Sequence, residues 1–158
     1  MLEIRPMTPD DWPAVERIYA EGVQTRLATF ETSLPSWEEF DSGRLEQHRL
    51  VAVENGEVLG WAAVSPISRR ECYAGVVEHS VYVRADARGR GMGGALMEAL
   101  LASTDAAGIW TVQSSVFPEN VATLVLHERL GFRVVGRRER IAQLDGAWRD
   151  TILLERRV

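Results

Sequence analysis

Arg88, Gly89, Arg90, Gly91, Gly93 and Gly94 stand within seven residues, between the apolar run Val81-Tyr82-Val83 and the helix-like run from Met92 to Leu101. Residues of these types in this order can make a cradle for phosphate. Glycines let backbone N–H groups crowd around an anion. A helix N-terminus adds partial positive charge, and arginine adds fixed charge with paired donors. The glycines at 89, 91 and 94 also fit G-x-G-x-x-G, the dinucleotide fingerprint. In a dinucleotide fold, however, the first glycine follows the strand at once, the unit opens the domain, and an acid follows about 20 residues on. Here Gly89 lies several residues past Val83, the unit is mid-chain, and the next strand, Ile109 to Val116, carries no acid. A phosphate-bearing ligand on loop and helix is the better reading. A solvated glycine turn is the plain alternative.

Upstream, Val76, Glu78, Ser80 and Tyr82 share one strand face by period-two alternation. Glu78 can therefore look into the cleft beside the loop, while His79 faces away and reads as structural. Taken alone, Glu78 reads better as a charged residue on the solvent face of a strand. His127 lies in a later helix, where an imidazole can donate a proton, bind a ligand or pack against the core. His48 has no supporting context. Asn120 follows Pro118-Glu119 and can cap the helix of His127.

Composition limits what these groups can serve. The net charge of −5 argues against nucleic acid as the main partner, because phosphate backbones want a basic face. All 18 basic residues are arginine. A P-loop lysine, a Schiff-base lysine and a pyridoxal-phosphate attachment are thus excluded. The single cysteine, Cys72, permits no internal disulfide and no cysteine-cluster metal site. No run approaches the roughly 18 apolar residues of a membrane span. The opening MLEIRPMTPDDW lacks the basic and apolar regions of a signal peptide. A cytoplasmic protein without membrane attachment is expected.

The elements that must position these residues are legible in turn. Leu2, Ile4 and Met7 suggest a short first strand. Thr8-Pro9-Asp10-Asp11 looks like a helix start, followed by Trp12, Val15, Ile18 and Tyr19 at helical spacing. Ser36 to Glu39 is a capping-box pattern opening a second helix. Asn55-Gly56 and Asp145-Gly146 each join two strands as hairpin turns. The glycine loop leads into a helix through about Ala107. A strand and a short helix stopping near Gly131 follow. The order is β-α-α-β-β-β-α-β-α-β-β in one domain, residues 1 to 158, with one β-α-β crossover carrying the loop.

At this point the residues carry a resemblance. Arg88-x-x-Gly91-x-Gly93 resembles the acyl-CoA pyrophosphate signature of the GNAT N-acetyltransferases, and the element order is similar to theirs along nearly the whole chain. Asn120 with LVLHERLGF (124–132) resembles the family helix that flanks the cofactor thiol. VEHSVYV (77–83), TFETSLPSWEEF (29–40) and GAWRD (146–150) are similar to the phosphinothricin and methionine-sulfoximine acetyltransferase branch. The resemblance implies an α/β (α+β) fold, with a mixed central sheet of about seven strands flanked by about four helices. It implies acetyl-CoA as co-substrate, no metal, and a homodimer. It places the cofactor on Arg88, Gly89, Arg90, Gly91, Met92, Gly93, Gly94 and Asn120. The backbone of Val81, Tyr82 and Val83 would pair with the pantetheine arm like an added strand.

Acetyl transfer to an amine asks for removal of a proton and polarisation of a carbonyl, with a proton supplied to the departing thiolate. The resemblance implies Glu78 as the base and gives His127 the place where many relatives carry a tyrosine acid. Phe30 and Glu31 fall where the branch places a substrate-lining loop. Arg69 and Arg70, with Tyr73, sit in the loop ahead of the Glu78 strand, where an arginine could clamp a substrate carboxylate. The branch tends to carry Trp-Arg in that loop, and this chain has Ile67-Ser68, so the acceptor stays open. The leading expectation is an acetyltransferase acting on a small amino-acid-like amine. A protein N-terminal acetyltransferase, a catalytically silent acyl-CoA-binding module and a nicotinamide enzyme are the competing expectations.

Overall fold

The apolar alternation of the sequence becomes one mixed sheet with helices on both faces. In the computed structural model, which describes all 158 residues, the chain runs β1 (Glu3–Pro6), α1 (Trp12–Thr25), α2 (Trp37–Gly43), β2 (Leu50–Glu54), β3 (Glu57–Pro66), β4 (Val76–Val83), α3 (Met92–Ala106), β5 (Thr111–Val116), α4 (Val121–Arg129), β6 (Arg133–Leu144) and β7 (Ala147–Arg157). The strand order is β1-β2-β3-β4-β5-β7-β6. All neighbours are antiparallel except β4 and β5, which the α3 crossover joins in parallel. The expected α/β (α+β) architecture, about seven strands and four helices in the stated order, is the one observed.

Turn and cap chemistry fixes the ends of the elements. Asn55 and Gly56 both take positive φ, 53° and 78°, as a two-residue type I′ hairpin requires. Asp145 and Gly146 repeat this at 52° and 80°. Ser36 Oγ accepts from the Glu39 N–H at 3.2 Å, and the Ser36 N–H donates to Glu39 Oε1 at 3.0 Å, closing the capping box of α2. A 3-10 turn at Pro9–Asp11 leads into α1. It is held by Asp11, which accepts from the Thr8 N–H and from both ends of the Arg5 guanidinium.

Alternation along β3 divides the core into two. Trp61 and Ala63 turn to one face, under α1 and α2, with Val15, Ile18, Tyr19 and Phe40. Ala62 and Val64 turn to the other, under α3, with Leu96, Met97 and Leu100. Trp61 is fully buried and stacks on Tyr82 of β4 at 5.0 Å. Truncating such a ring typically costs about 3–5 kcal/mol. The same alternation sends Glu78, Ser80 and Tyr82 to the α1–α2 side of β4 and sends Val77, His79 and Val81 to the α3 side.

Candidate active site

β4 and β5 pair over only three positions, Val76↔Thr111, Val77↔Val112 and Glu78↔Gln113. Beyond Glu78 the strands diverge. β4 stays paired with β3 as far as Val83, while β5 stays paired with β7 as far as Val116. The gap opens a cavity of about 880 Å³, lined by residues 78–83 of β4 and 114–117 at the end of β5. Beyond Glu78 the inner edge of β4 is therefore without a strand partner as far as Val83, and an edge of that kind can pair with an extended ligand.

The N-terminus of α3 closes one end of this gap. Gly91 is its N-cap at φ 78°, a conformation that favours glycine, and it brings no capping side chain. First-turn N–H groups of a helix have no partner within the helix. The residues of that turn, Met92, Gly93 and Gly94, line the cavity together with Gly89 and Gly91. Arg88 lines it too, its Nε donating to the Val83 carbonyl at 3.2 Å. Arg90 does not. Its guanidinium is bidentate on the Glu54 carboxylate, 2.8 Å to each oxygen, outside the cavity. In this arrangement Arg90 is paired with a carboxylate 36 residues earlier and is not among the cavity-lining residues.

Glu78 faces the cavity from β4, half-buried, with Gln113 Nε2 donating to Oε1 at 3.4 Å. Ser65 pairs opposite it on β3 and Ser80 follows on the same face, so the carboxylate stands among small side chains. Tyr82 is more deeply packed, against Tyr19 and Trp61. Burial and the neighbouring Tyr19 push its phenol well above the usual range, so it stays protonated.

His127 has a different environment from the one the sequence suggests. It is buried, and its Nε2 lies 2.8 Å from Nε2 of His79. Its Nδ1 lies 2.6 Å from the Thr123 carbonyl. A carbonyl only accepts, so Nδ1 of His127 carries the proton, its Nε2 is the acceptor, and His79 Nε2 donates. Burial, with His127 alongside, lowers the His79 pKa to about 3. Burial also lowers that of His127, against a raising contribution from Thr123. Both rings are neutral, and neither nitrogen of His127 presents a proton to the cavity. The proton-donor role expected of His127 is not met in this arrangement, because His79 and Thr123 occupy both nitrogens. His79, read from the sequence as structural, is the partner that alternation alone could not supply.

The segment between α1 and α2 crosses the far side. Phe30 packs edge-on against Phe117 at 4.9 Å, and Phe30 and Glu31 line the cavity. Asn120 uses both ends of its amide. Oδ1 caps α4 through the Thr123 N–H at 3.3 Å, and Nδ2 donates to the Leu27 carbonyl at 3.2 Å. Arg149 adds a bond to the Arg26 carbonyl at 3.1 Å while lying 4.1 Å over the Phe117 ring. Arg69, Arg70 and Tyr73 do not join this site. They are exposed, on and beside a 3-10 turn at Glu71–Tyr73, outside the cavity. Their carboxylate-clamp role is thus unsupported within one chain. Sequence reasoning also missed Tyr19, Arg44 and Ser65 in the lining. Ser65 could have been found by counting the hairpin register back from Glu78, but Arg44 carries no local signal.

A model of the acetyltransferase (GNAT) family matches residues 11–132. The chain is 32% identical over 160 aligned residues to an L-methionine sulfoximine/L-methionine sulfone acetyltransferase of Pseudomonas aeruginosa, across 96% of this chain and 92% of that one. It superposes with a TM-score of 0.90 on a GNAT superfamily phosphinothricin acetyltransferase from Sinorhizobium meliloti in complex with AcCoA, at 28% identity over 99% of this chain and 88% of that one. A ribosomal-protein-alanine N-acetyltransferase from Brucella melitensis gives 0.91 at 29% identity, over 99% of both chains. The fold described above is thus shared with solved acetyltransferases, one of them in complex with AcCoA. The chain belongs to the GNAT acetyltransferases and is an acetyl-CoA-dependent N-acetyltransferase.

Proposed function

We propose that the enzyme acetylates the primary amine of a small amino-acid-like acceptor by direct transfer, with both substrates held in the one cavity. The observation that carries this reading is that Glu78 and the open N-terminus of α3 face a single cavity from the two sides of the same gap. The first-turn N–H groups of α3 and Arg88 would hold the pyrophosphate of acetyl-CoA, and the free edge of β4 its pantetheine arm. The co-substrate supplies an activated acetyl thioester. Glu78 takes the proton that an alkylammonium acceptor must lose, directly or through a water. Cys72, the chain's one cysteine, is exposed and outside the cavity, which supports direct transfer over an acyl-cysteine route. Holding two reactants together can supply roughly 7–11 kcal/mol in favourable cases.

Small acceptors are favoured over protein N-termini because residues 27–31 line the cavity and are tied down by Asn120, Arg149 and the Phe30–Phe117 contact, which leaves no open groove there. The acceptor classes named for the Pseudomonas and Sinorhizobium proteins support the same choice. The name of the Brucella protein keeps the protein-substrate reading as the comparison. Release of free CoA thiol with a panel of amino acids, including methionine sulfoximine, methionine sulfone and phosphinothricin, against N-terminal peptides decides between them. Intersecting initial-velocity lines would support a ternary complex, and parallel lines would refute it.

A further inference from the structure

Three arginines line the cavity, Arg44, Arg88 and Arg129. Arg88 belongs to the loop before α3, and Arg129 sits exposed at the end of α4, where terminal carbonyls suit a cation. Arg44 is placed differently. It follows α2, where the Leu45 N–H donates to the Val64 carbonyl at 2.8 Å and Leu45 packs into the core under α3. The Arg44 side chain turns to the other face, its guanidinium carbon 4.9 Å over the Phe40 ring. That is the face on which Glu78, Ser80 and Tyr82 stand.

The side chains between Arg44 and β4 on this face are small, Ala63 and Ser65 on β3 and Ser80 on β4. Arg44 forms no ion pair, although ten pairs engage other arginines. Its Nε is shut off from solvent and has no hydrogen-bond acceptor. A buried guanidinium N–H without an acceptor is a standing cost in the free protein. A carboxylate arriving through the cavity removes that cost, since Nε and one Nη form the planar fork that a carboxylate matches. Glu78 and Glu31 line the same cavity and offer negative charge to an ammonium. Its lining therefore carries both charges of an amino acid in complementary form.

We propose that Arg44 binds the carboxylate of the acceptor and makes the enzyme select amines that carry an anionic group. The proposal rests on the reading of this cavity as a small-molecule acceptor site. A merely structural Arg44, stacked on Phe40, would not distinguish an acid from its amide.

The test uses the full chain and the amino acid of highest turnover in the panel, set against its carboxamide. The carboxamide's amine has a different basicity, but that difference cancels when each variant is divided by wild type. Arg44→Gln is expected to lower kcat/KM for the acid by about 10- to 100-fold, as loss of charge-assisted bonds does. The carboxamide should change by less than about threefold, and the KM for acetyl-CoA should hold. Because acid and carboxamide are read on the same preparation, their ratio is independent of how much of the variant folds. Arg44→Lys should recover part of the preference, keeping charge without the fork. Equal losses for acid and carboxamide would overturn the proposal, as would an acid-selective loss in Arg129→Gln with none in Arg44→Gln. If wild type binds acetyl-CoA but turns over no amino acid, the acceptor reading itself fails and the proposal goes with it.

Discussion

His79 and His127 share one hydrogen bond, Nε2 to Nε2 at 2.8 Å, between rings stacked at 16° on the α3 side of β4. Both are held neutral by burial. In the unfolded chain each titrates near the ordinary value of 6.5. Below that pH the unfolded chain binds more protons than the folded one, so stability falls with pH. The contribution is complete above about pH 6.5 and is lost progressively toward about pH 3. The slope is up to about 1.4 kcal/mol per pH unit for each ring. We predict a falling melting temperature between about pH 6.5 and about pH 5, before most carboxylates protonate. A His79→Leu/His127→Phe double variant should show a flatter profile in differential scanning calorimetry. An identical slope would assign the pH dependence elsewhere.

His127→Phe separates structure from catalysis. It leaves the His79 Nε2–H in the core without an acceptor, a cost of about 1–3 kcal/mol. For a chain of this size the melting temperature should drop by about 3–10 °C. Turnover of the folded enzyme should fall less than about tenfold, short of the loss of a positioned acid. Abolished turnover with an unchanged melting temperature would restore His127 as the proton donor.

Glu78→Gln keeps the shape and the neighbourhood of Gln113 but cannot accept a proton. The expected loss in kcat is roughly 10²–10⁴-fold, with acetyl-CoA binding by calorimetry close to wild type. Turnover near wild type would remove Glu78 from the role of base.

The loop before α3 is tested by two substitutions with different expected signatures. Arg88→Ala removes binding common to ground and transition states, so the KM for acetyl-CoA should rise more than kcat falls. Gly91→Val forces a β-branched residue to φ 78° at the helix cap. Cofactor affinity and stability should drop together. Unchanged affinity in Gly91→Val would move the pyrophosphate off this loop.

Gly22 probes the acceptor side through packing. A Cβ at that position would lie within van der Waals overlap of the Tyr82 ring, which Trp61 and Tyr19 hold from other sides. Alanine favours a helix by about 1 kcal/mol over glycine, whereas overpacking costs about 1–3 kcal/mol. Gly22→Ala should therefore be neutral to destabilising in urea unfolding, with a raised acceptor KM. A clear stabilisation would show that Tyr82 yields freely.

Much of this is legible in the chain. The hairpins are set by Asn55-Gly56 and Asp145-Gly146, and the second helix by Ser36 and Glu39, because those signals act over two to four residues. Alternation places Glu78 and His79 on opposite faces of one strand. It cannot say which helix later covers His79, so the contact with His127, 48 positions on, is invisible. Nor can it say which arginine a distant carboxylate will claim. Arg88 and Arg90 look alike in sequence, and only the fold brings Glu54 to Arg90. Arg44 carries no local signal, and Arg69 sits in a loop where a clamp is expected, but only the strands set the first beside the cavity and the second outside it.

The short parallel junction between β4 and β5 also has a mechanical meaning. On one side lie β1 to β4, on the other β5, β7 and β6, and each group is laced internally by antiparallel ladders. Within the sheet itself only three ladder pairs join the two plates, and the other ties are loop and side-chain contacts such as Asn120 to Leu27 and Arg149 to Arg26. Trp110 lies at the closed end of that seam, its backbone N–H donating to the Gly75 carbonyl at 2.9 Å and its ring lying where a Gly75 side chain would be. A load pulling the plates apart would concentrate there and not in the ladders. A ligand bonded along the free edge of β4, as proposed above, would add stitches across that seam like a suture.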